Sequence, residues 1–127
     1  MSLYQAKVYR VVHRVYLKPL SVNQAWKGRR YKTDRYKAYI RSCRALLPKV
    51  EVPQDCKLQI HLVFGFSSAG SDWDNPIKPY QDILQDVYGF NDSRIYRGIV
   101  DKVLVKKGSE FIEFSITPLE EDNKVRV

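Results

Sequence analysis

The stretch KLQIHLVFGFSSAGSDWDNPIKPYQDILQDVYGF, residues 57–90, decides the fold of this chain. In its first ten residues apolar side chains alternate with other side chains, which predicts a strand. A loop rich in serine, glycine and aspartate follows over residues 67–74. From about Asn75 to Tyr88 the apolar residues recur every three or four positions, which predicts a helix that ends at Gly89. The stretch therefore predicts a strand, a loop and a helix in direct succession.

The sequence before this stretch predicts one strand and one helix. Residues 7–17 are rich in valine and tyrosine and predict a strand, and a loop marked by Pro19, Ser21 and Asn23 follows. A helix is expected from Asp34 to the residue before Pro48, with its apolar positions at Tyr36, Ile40, Cys43 and Leu47.

The sequence after the stretch predicts two strands, near residues 95–106 and 110–117, separated by a hairpin turn at KKGSE. The predicted order is strand, helix, strand, helix, strand, strand. We therefore expect one α+β domain, residues 1–127, in which a small sheet packs against two main α-helices. The pattern leaves open whether that sheet is mixed or antiparallel.

Composition excludes a disordered chain and a helical membrane protein. Hydrophobic residues make up 44% of the 127 residues, enough for one core, and no apolar run approaches the roughly 18 residues that span a bilayer. Charged residues interrupt the amino terminus, so we expect a cytoplasmic protein. Cys43 and Cys56 lack metal-ligand spacing and are predicted to be buried thiols, with a disulfide as the alternative.

Charge is divided unevenly along the chain. Residues 1–50 hold 13 Lys and Arg and one acid, a balance of +12, whereas residues 51–127 have a balance of −4. This division favours a polyanionic partner at one part of the molecule and chemistry or a cation at another. The alternative is that the lysines only keep the protein soluble.

Asp72 and Asp74 are the first candidate site. In extended chain, residues two apart point to the same side, so the two carboxylates can converge on a hard cation such as Mg²⁺. Trp73 would then point the other way and anchor the loop in the core. Asp74 or Asn75 is expected to cap the second helix, and Lys78 supplies a positive charge one turn further along.

Simpler explanations exist for each of these residues. Asp72 and Asp74 can be ordinary loop acids, and Lys78 can form only a surface ion pair with Asp82. Asp82 and Asp86 are assigned to solvent. Neither His13 nor His61 has a ligand partner at recognisable spacing, and His61 is expected to face away from the core.

Two groups of residues resemble the RusA family of Holliday-junction resolvases, which is common in bacteria and their prophages. The sequence D-W-D-N-P-I-K at residues 72–78 matches the family pattern D-x-D-N-x-x-K, and Asn91 and Asp92 match a later N-D pair. Upstream, PLSVN at residues 19–23 is similar to the family segment P-x-S-x-N. The resemblance spans about residues 8–117, which leaves residues 118–127 as a carboxyl-terminal tail.

The resemblance implies a homodimeric, Mg²⁺-dependent endonuclease that nicks four-way DNA junctions symmetrically in recombination and repair, with Mn²⁺ as a possible substitute ion. Asp72, Asp74 and Asp92 would be the metal ligands. Lys78 would be catalytic with them, by contacting the scissile phosphate. No small-molecule cofactor and no membrane partner are expected, and the origin would be bacterial or phage. Asp92 is attached to the site by resemblance, because spacing alone does not bring it to the other two acids.

Carboxylates alone would repel DNA, so the basic amino-terminal half must supply the affinity through phosphate contacts. The candidates are Arg29, Arg30, Lys32, Arg35, Lys37 and Arg41. Trp26, Tyr31 and Tyr36 can stack on exposed bases, or pack in the core. Two rival hypotheses remain: a nucleic-acid-binding module without catalysis, and a nuclease that cuts flaps or forks.

Overall fold

The computed structural model describes residues 11–28 and 31–119 of the chain. The elements in chain order are β1 His13–Val15, α1 Val22–Ala25, β2 Trp26–Lys27, β3 Tyr31–Lys32, α2 Asp34–Leu46, β4 Leu58–Phe66, α3 Ile77–Tyr88, a 3₁₀ turn Asp92–Arg94, β5 Ile95–Leu104 and β6 Phe111–Pro118. This is an α+β fold, which confirms the predicted class. Of the predicted first strand, residues 13–15 are observed, and residues 7–10 lie outside the described part.

The main sheet has four strands in the order β1-β6-β4-β5. β4 pairs with β6 antiparallel and with β5 parallel, so the sheet is mixed. The parallel pair arises because α3 carries the chain from the end of β4 back to the start of β5. β2 and β3 form a separate two-stranded hairpin around Gly28, whose φ of 69° suits a glycine.

The predicted hairpin between the last two strands is wrong, although its turn is present. Ser109 N donates to Lys106 O at 2.9 Å, and Gly108 has a φ of 93°. However, β4 lies between β5 and β6, so the turn carries the chain across the end of β4. Turn residues indicate where a chain reverses, but they do not determine which strand it then pairs with.

The two long helices begin in different ways. Thr33 caps α2, because its Oγ1 accepts a hydrogen bond from Tyr36 N at 3.1 Å. At α3 the cap position is Pro76, which makes no side-chain cap, so the prediction that Asp74 or Asn75 caps this helix is wrong. Gly89 ends α3 in the left-handed conformation, as predicted, with a φ of 70°.

Ser21 begins the four-residue helix α1 where a loop was predicted. Its Oγ accepts a hydrogen bond from Asn23 N at 3.1 Å, the usual arrangement at a helix start. A helix this short has no apolar periodicity, so the sequence pattern could not distinguish it from a loop.

The core lies between the sheet and the two long helices. Tyr80 and Leu84 of α3 are fully buried, and the ring of Tyr80 packs against Phe64 of β4 and Phe114 of β6. From α2 the buried residues are Tyr36, Tyr39 and Cys43. Cys43 and Cys56 are both free thiols, the first buried and the second half-buried. Among the described residues, no helix has the length and apolar character needed to cross a bilayer.

Candidate metal and nucleic-acid site

The acidic loop, residues 67–76, is held on both sides by backbone and side-chain hydrogen bonds. Ser71 N donates to Ser68 O at 3.2 Å within the loop. Lys102 of β5 reaches across and donates from Nζ to Ala69 O at 2.9 Å and also to Ser71 O. The loop backbone is therefore fixed against the end of the sheet, while the side chains of Asp72 and Asp74 are exposed.

Asn75 links the acidic loop to a second part of the chain. Its Nδ2 donates to Asp72 Oδ2 at 3.2 Å, which restrains that carboxylate. Its backbone oxygen accepts a hydrogen bond from Val22 N at 2.8 Å. One residue thus connects the first acid of the loop to the upstream segment, residues 18–24.

A cleft of about 420 Å³ lies between the acidic loop and the upstream segment. Its lining includes Pro19, Ser21 and Asn23 from one side, and Asp72 and Asn75 from the other. These residues belong to the two separate segments that carry the family resemblance, and the fold brings them to one cleft. On the loop side its lining also includes Ser67, Ser68, Gly70 and Ser71.

Two charged residues of this cleft were missed in the sequence. Lys18 lines it next to Pro19, and Glu110 enters it from the turn before β6. Glu110 accepts hydrogen bonds from Ser67 Oγ at 2.7 Å and from Gly108 N at 2.8 Å, and the bond from Ser67 is the main cause that lowers the pKa of Glu110. Lys18 was detectable as a neighbour of the upstream motif. Glu110 was not, since its position depends on the crossing of β4.

Trp73 does not anchor the loop in the core, so that prediction is wrong. Its side chain is 54% exposed between the two acids. Pro76, which is fully buried, anchors the loop instead. An exposed indole beside two carboxylates is therefore available to a partner of the site.

Lys78 forms a surface ion pair with Asp82, which was the simpler of the two explanations that the sequence offered for this residue. Its Nζ lies 2.9 Å from Asp82 Oδ1, and the lysine side chain is 60% exposed. The hydrogen bond with Asp82 is the main cause that raises the pKa of Lys78, and the charge of Asp92 contributes less. Lys78 therefore stays protonated. An exposed pair of this kind is worth about 0.3–0.5 kcal/mol, so a phosphate can displace Asp82.

Asp86 is exposed, as predicted, whereas Asp82 is half-buried. Asp82 pairs with Lys78, and Asp86 pairs with Arg44 of α2 across the helix–helix contact. His61 is half-buried and pairs through Nε2 with Asp101 Oδ2 at 2.8 Å.

Asp92 lies towards the opposite end of the parallel strand pair from the acidic loop. It opens the 3₁₀ turn that leads into β5, and Ile95, the first residue of β5, pairs with Leu58 at the start of β4. Lys102, which binds the acidic loop, lies seven residues after Ile95 in β5. At the usual rise per residue of a strand, Ile95 and Lys102 are about 23 Å apart. The fold brings Asp92 within electrostatic range of Lys78, but it does not group Asp92 with Asp72 and Asp74.

The donor chemistry fits Mg²⁺ at Asp72 and Asp74 more closely than at all three acids. Mg²⁺ is commonly held by one or two carboxylates together with waters and substrate phosphates, and two exposed carboxylates on one fixed loop meet that need. Within residues 11–28 and 31–119, no three Asp, Glu, His or Cys side chains are grouped closely enough to hold one ion. The metal site stays a prediction, centred on the pair.

The basic face consists of Lys32 of β3 and Arg35, Lys37 and Arg41 of α2. All four are exposed, and none of them is in an ion pair with another described residue. Arg29 and Arg30 lie outside the described residues. Thr33 ties this face to the cleft, because its Oγ1 donates to Gln24 O at 2.7 Å and Gln24 lines the cleft.

The aromatic residues of this region divide into buried and exposed. Tyr36 is 2% exposed, and Trp26 is half-buried with its ring 5.6 Å from that of Tyr36, so both pack in the fold. Tyr31 is 72% exposed and remains a candidate for stacking on a base.

Comparison with known proteins adds no relative to this picture. The chain matches no protein-family model, and a search of the curated proteins finds no match.

Proposed function

We propose that this chain is a Mg²⁺-dependent endodeoxyribonuclease of the RusA type that resolves four-way DNA junctions by paired nicks. The observation that carries the proposal is the shared cleft. The two motifs on which the resemblance rests, at residues 19–23 and 72–78, are far apart in sequence, and both contribute residues to its walls. The resemblance implies that the protein would act in the cytoplasm of a bacterium and be encoded by the bacterium or a phage.

The residues of the acidic loop have separate tasks in this proposal. Asp72 and Asp74 would hold Mg²⁺, and Asn75 would keep the Asp72 carboxylate oriented through the 3.2 Å hydrogen bond. A bound Mg²⁺ supplies a polarised phosphate oxygen and an activated water. Lys78, which stays protonated, would leave Asp82 and offset the charge that develops on the scissile phosphate.

In this proposal a second copy of the chain would supply its Asp92 as the third ligand beside Asp72 and Asp74. In one copy Asp92 precedes the amino end of β5, whereas the acidic loop lies beside the carboxyl half of that strand. The resemblance implies a homodimer, in which each copy makes one of the two nicks.

The basic face would supply affinity for DNA. Exposed Lys32, Arg35, Lys37 and Arg41 contact phosphates in this proposal, together with Arg29 and Arg30. Phosphate contacts carry little sequence information, so junction preference would come from the shape of the DNA and the geometry of the dimer. Binding of this kind weakens steeply as salt rises.

The hypothesis of a binding module without catalysis has specific observations in its favour. Asp72 and Lys78 both have partners within the chain, Asn75 and Asp82, so neither residue needs a ligand to explain its position. The hypothesis of a flap or fork nuclease uses the same site and differs only in the DNA it accepts.

One panel of substrates separates the three functions. The protein is incubated with a four-way junction, a fork, a flap and a plain duplex, each with and without Mg²⁺. Symmetric nicking of the junction in Mg²⁺ is expected. Cutting of duplex and junction at equal rates would contradict junction resolution and leave a broader nuclease. Binding of the junction without any cutting in Mg²⁺ or Mn²⁺ would favour the binding module.

A further inference from the structure

The two tryptophans of the chain have different surroundings. Trp26 is half-buried, and its ring centre lies 5.6 Å from that of Tyr36. Trp73, in the acidic loop, is 54% exposed. Among the described residues, the ring of Trp73 makes no aromatic or cation–π contact. The fold therefore supplies an aromatic partner for Trp26 but none for Trp73.

The backbone on both sides of Trp73 is bonded to the rest of the fold. Before it, Ser71 O accepts a hydrogen bond from Lys102 Nζ of β5. After it, Asn75 O accepts a hydrogen bond from Val22 N, at the start of α1, at 2.8 Å. The exposed indole is therefore carried by a segment whose backbone is held at both ends, within the same loop as the proposed metal ligands.

The neighbours of Trp73 restrict the ligand that can reach its ring. Asp72 and Asp74 are exposed carboxylates on either side of it, so an acidic protein or an anionic membrane would be repelled. A nucleobase is uncharged, and every base has a π-face that can stack on an indole. Its phosphate is anionic, but in the proposed function the Mg²⁺ at the two carboxylates binds a phosphate. A base next to that phosphate is therefore the ligand that suits this ring.

We propose that Trp73 stacks on an unpaired nucleobase beside the phosphate that Mg²⁺ holds, an inference that rests on the proposed function. In a plain duplex each base is paired, and neighbouring bases cover both of its faces. The indole then has no face to stack on. A base that has left its pair, as at a branch point, costs less to unstack and exposes that face. Trp73 would therefore add a preference for branched DNA to the shape of the junction.

Substitution of the indole tests the contact from the protein side. Fluorescence anisotropy in Mg²⁺ measures binding of a labelled four-way junction with an uncleavable backbone, and of a plain duplex. Trp73→Ala should weaken junction binding by about tenfold, as the loss of one stacked base implies, and duplex binding by less than about twofold. Trp73→Phe keeps a ring and should recover most of the affinity. Tyr16→Ala removes an exposed ring outside the acidic loop and, as the matched control, should bind both DNAs normally.

Removal of the base tests the contact from the DNA side. Abasic nucleotides are placed one at a time at the positions around the branch point, which deletes the base and keeps the phosphate. At one of these positions the unmodified protein should bind about tenfold more weakly. Trp73→Ala should lose no further affinity there, because the two changes remove the same contact. Such non-additivity is expected of two groups that touch.

The emission of Trp73 reports stacking independently of any cutting. The chain has two tryptophans, so Trp26→Phe leaves Trp73 as the only one, and circular dichroism confirms that this variant is folded. The uncleavable junction should quench the emission with the same midpoint as the anisotropy, because a stacked base quenches an indole. A saturating concentration of duplex should leave the emission nearly unchanged.

Two results would overturn the proposal. One is a Trp73→Ala protein that binds the junction as tightly as the unmodified protein and shows no coupling to any abasic position. The other is equal quenching by duplex and junction, since the ring would then not distinguish unpaired bases. Quenching by the junction alone, in a protein that cuts no member of the substrate panel, would overturn the nuclease and support the stacking contact. The two proposals therefore fail separately.

Discussion

The acidic loop and the basic face are built in opposite ways. The loop backbone is held by Lys102 and buried Pro76, and the Asp72 carboxylate by Asn75. The basic face is a set of long, exposed side chains on α2 and β3 that have no ion-pair partners among the described residues. In a fixed site, activity depends on each residue. In a set of flexible charges, several residues contribute to the affinity, and the loss of one is partly compensated by the others. Single changes should therefore be severe in the loop and mild on the face.

The largest effect is expected at the acidic loop itself. Asp74→Asn removes a negative ligand without changing its size, so junction cutting should fall by roughly 1,000-fold, as loss of several kcal/mol of transition-state stabilisation implies. Junction affinity, measured by fluorescence anisotropy, should stay within a few-fold. The matched control is Asp86→Asn on α3, which should cut normally. Equal rates of junction cutting in the two variants would show that the acidic loop takes no part in catalysis.

The second largest effect is expected at Lys78, and it distinguishes the lysine from Asp82, its ion-pair partner. Lys78→Ala should lower the cutting rate by about 100-fold, the usual cost of removing one electrostatic contact to a developing charge. Asp82→Ala removes the same ion pair but leaves the lysine, so its rate should stay within about twofold, and its stability should fall by less than about 0.5 kcal/mol. Single-turnover kinetics and urea unfolding measure the two quantities. Equal losses of activity in both variants would make the ion pair structural.

Asn75→Ala tests the restraint on Asp72. The backbone bond from Val22 to residue 75 remains, so the loop keeps its place while the 3.2 Å side-chain bond is lost. Cutting should fall about tenfold, as expected for a residue that orients a metal ligand, and should need more Mg²⁺ to reach its maximum. Asn23→Ala, in the same cleft but without a described bond to an acid, is the comparison. An unchanged Mg²⁺ dependence would mean that Asn75 only supports the fold.

The smallest effect is expected on the basic face. Lys37→Ala should weaken junction binding only a few-fold and reduce the slope of log affinity against log salt by about 1, the contribution of one phosphate contact. Lys107→Ala, in the turn before β6, removes the same charge and should leave the slope unchanged. A loss of binding of a hundredfold from Lys37 alone would contradict the idea of shared charges.

Local patterns in the sequence were sufficient to locate the acidic loop and the strand and helix that flank it. Alternation located β4, and periodicity with Gly89 located α3 and its end. The same patterns missed what depends on distant neighbours. β5 and β6 are not paired because β4 lies between them, and no turn signal contains that information.

Side-chain direction was the second limit of the sequence. Trp73 was expected inside because alternate side chains of an extended chain point to opposite sides, yet the buried residue of that loop is Pro76. Asp74 or Asn75 was expected to cap α3, but neither side chain does so, and that of Asn75 donates to Asp72 instead. Both errors arise where a polar loop is shaped by contacts with α1 and β5, which spacing along the chain does not reveal.

Metal binding by the acidic loop is the central claim, and calorimetric titration tests it most directly. Mn²⁺ is titrated into the protein bound to a four-way junction with an uncleavable backbone, and into the Asp72→Asn and Asp74→Asn variants under the same conditions. The account predicts saturable binding to the unmodified complex that is lost or at least tenfold weaker in both variants. Binding of equal strength in all three proteins, or no binding by the unmodified complex, would contradict it.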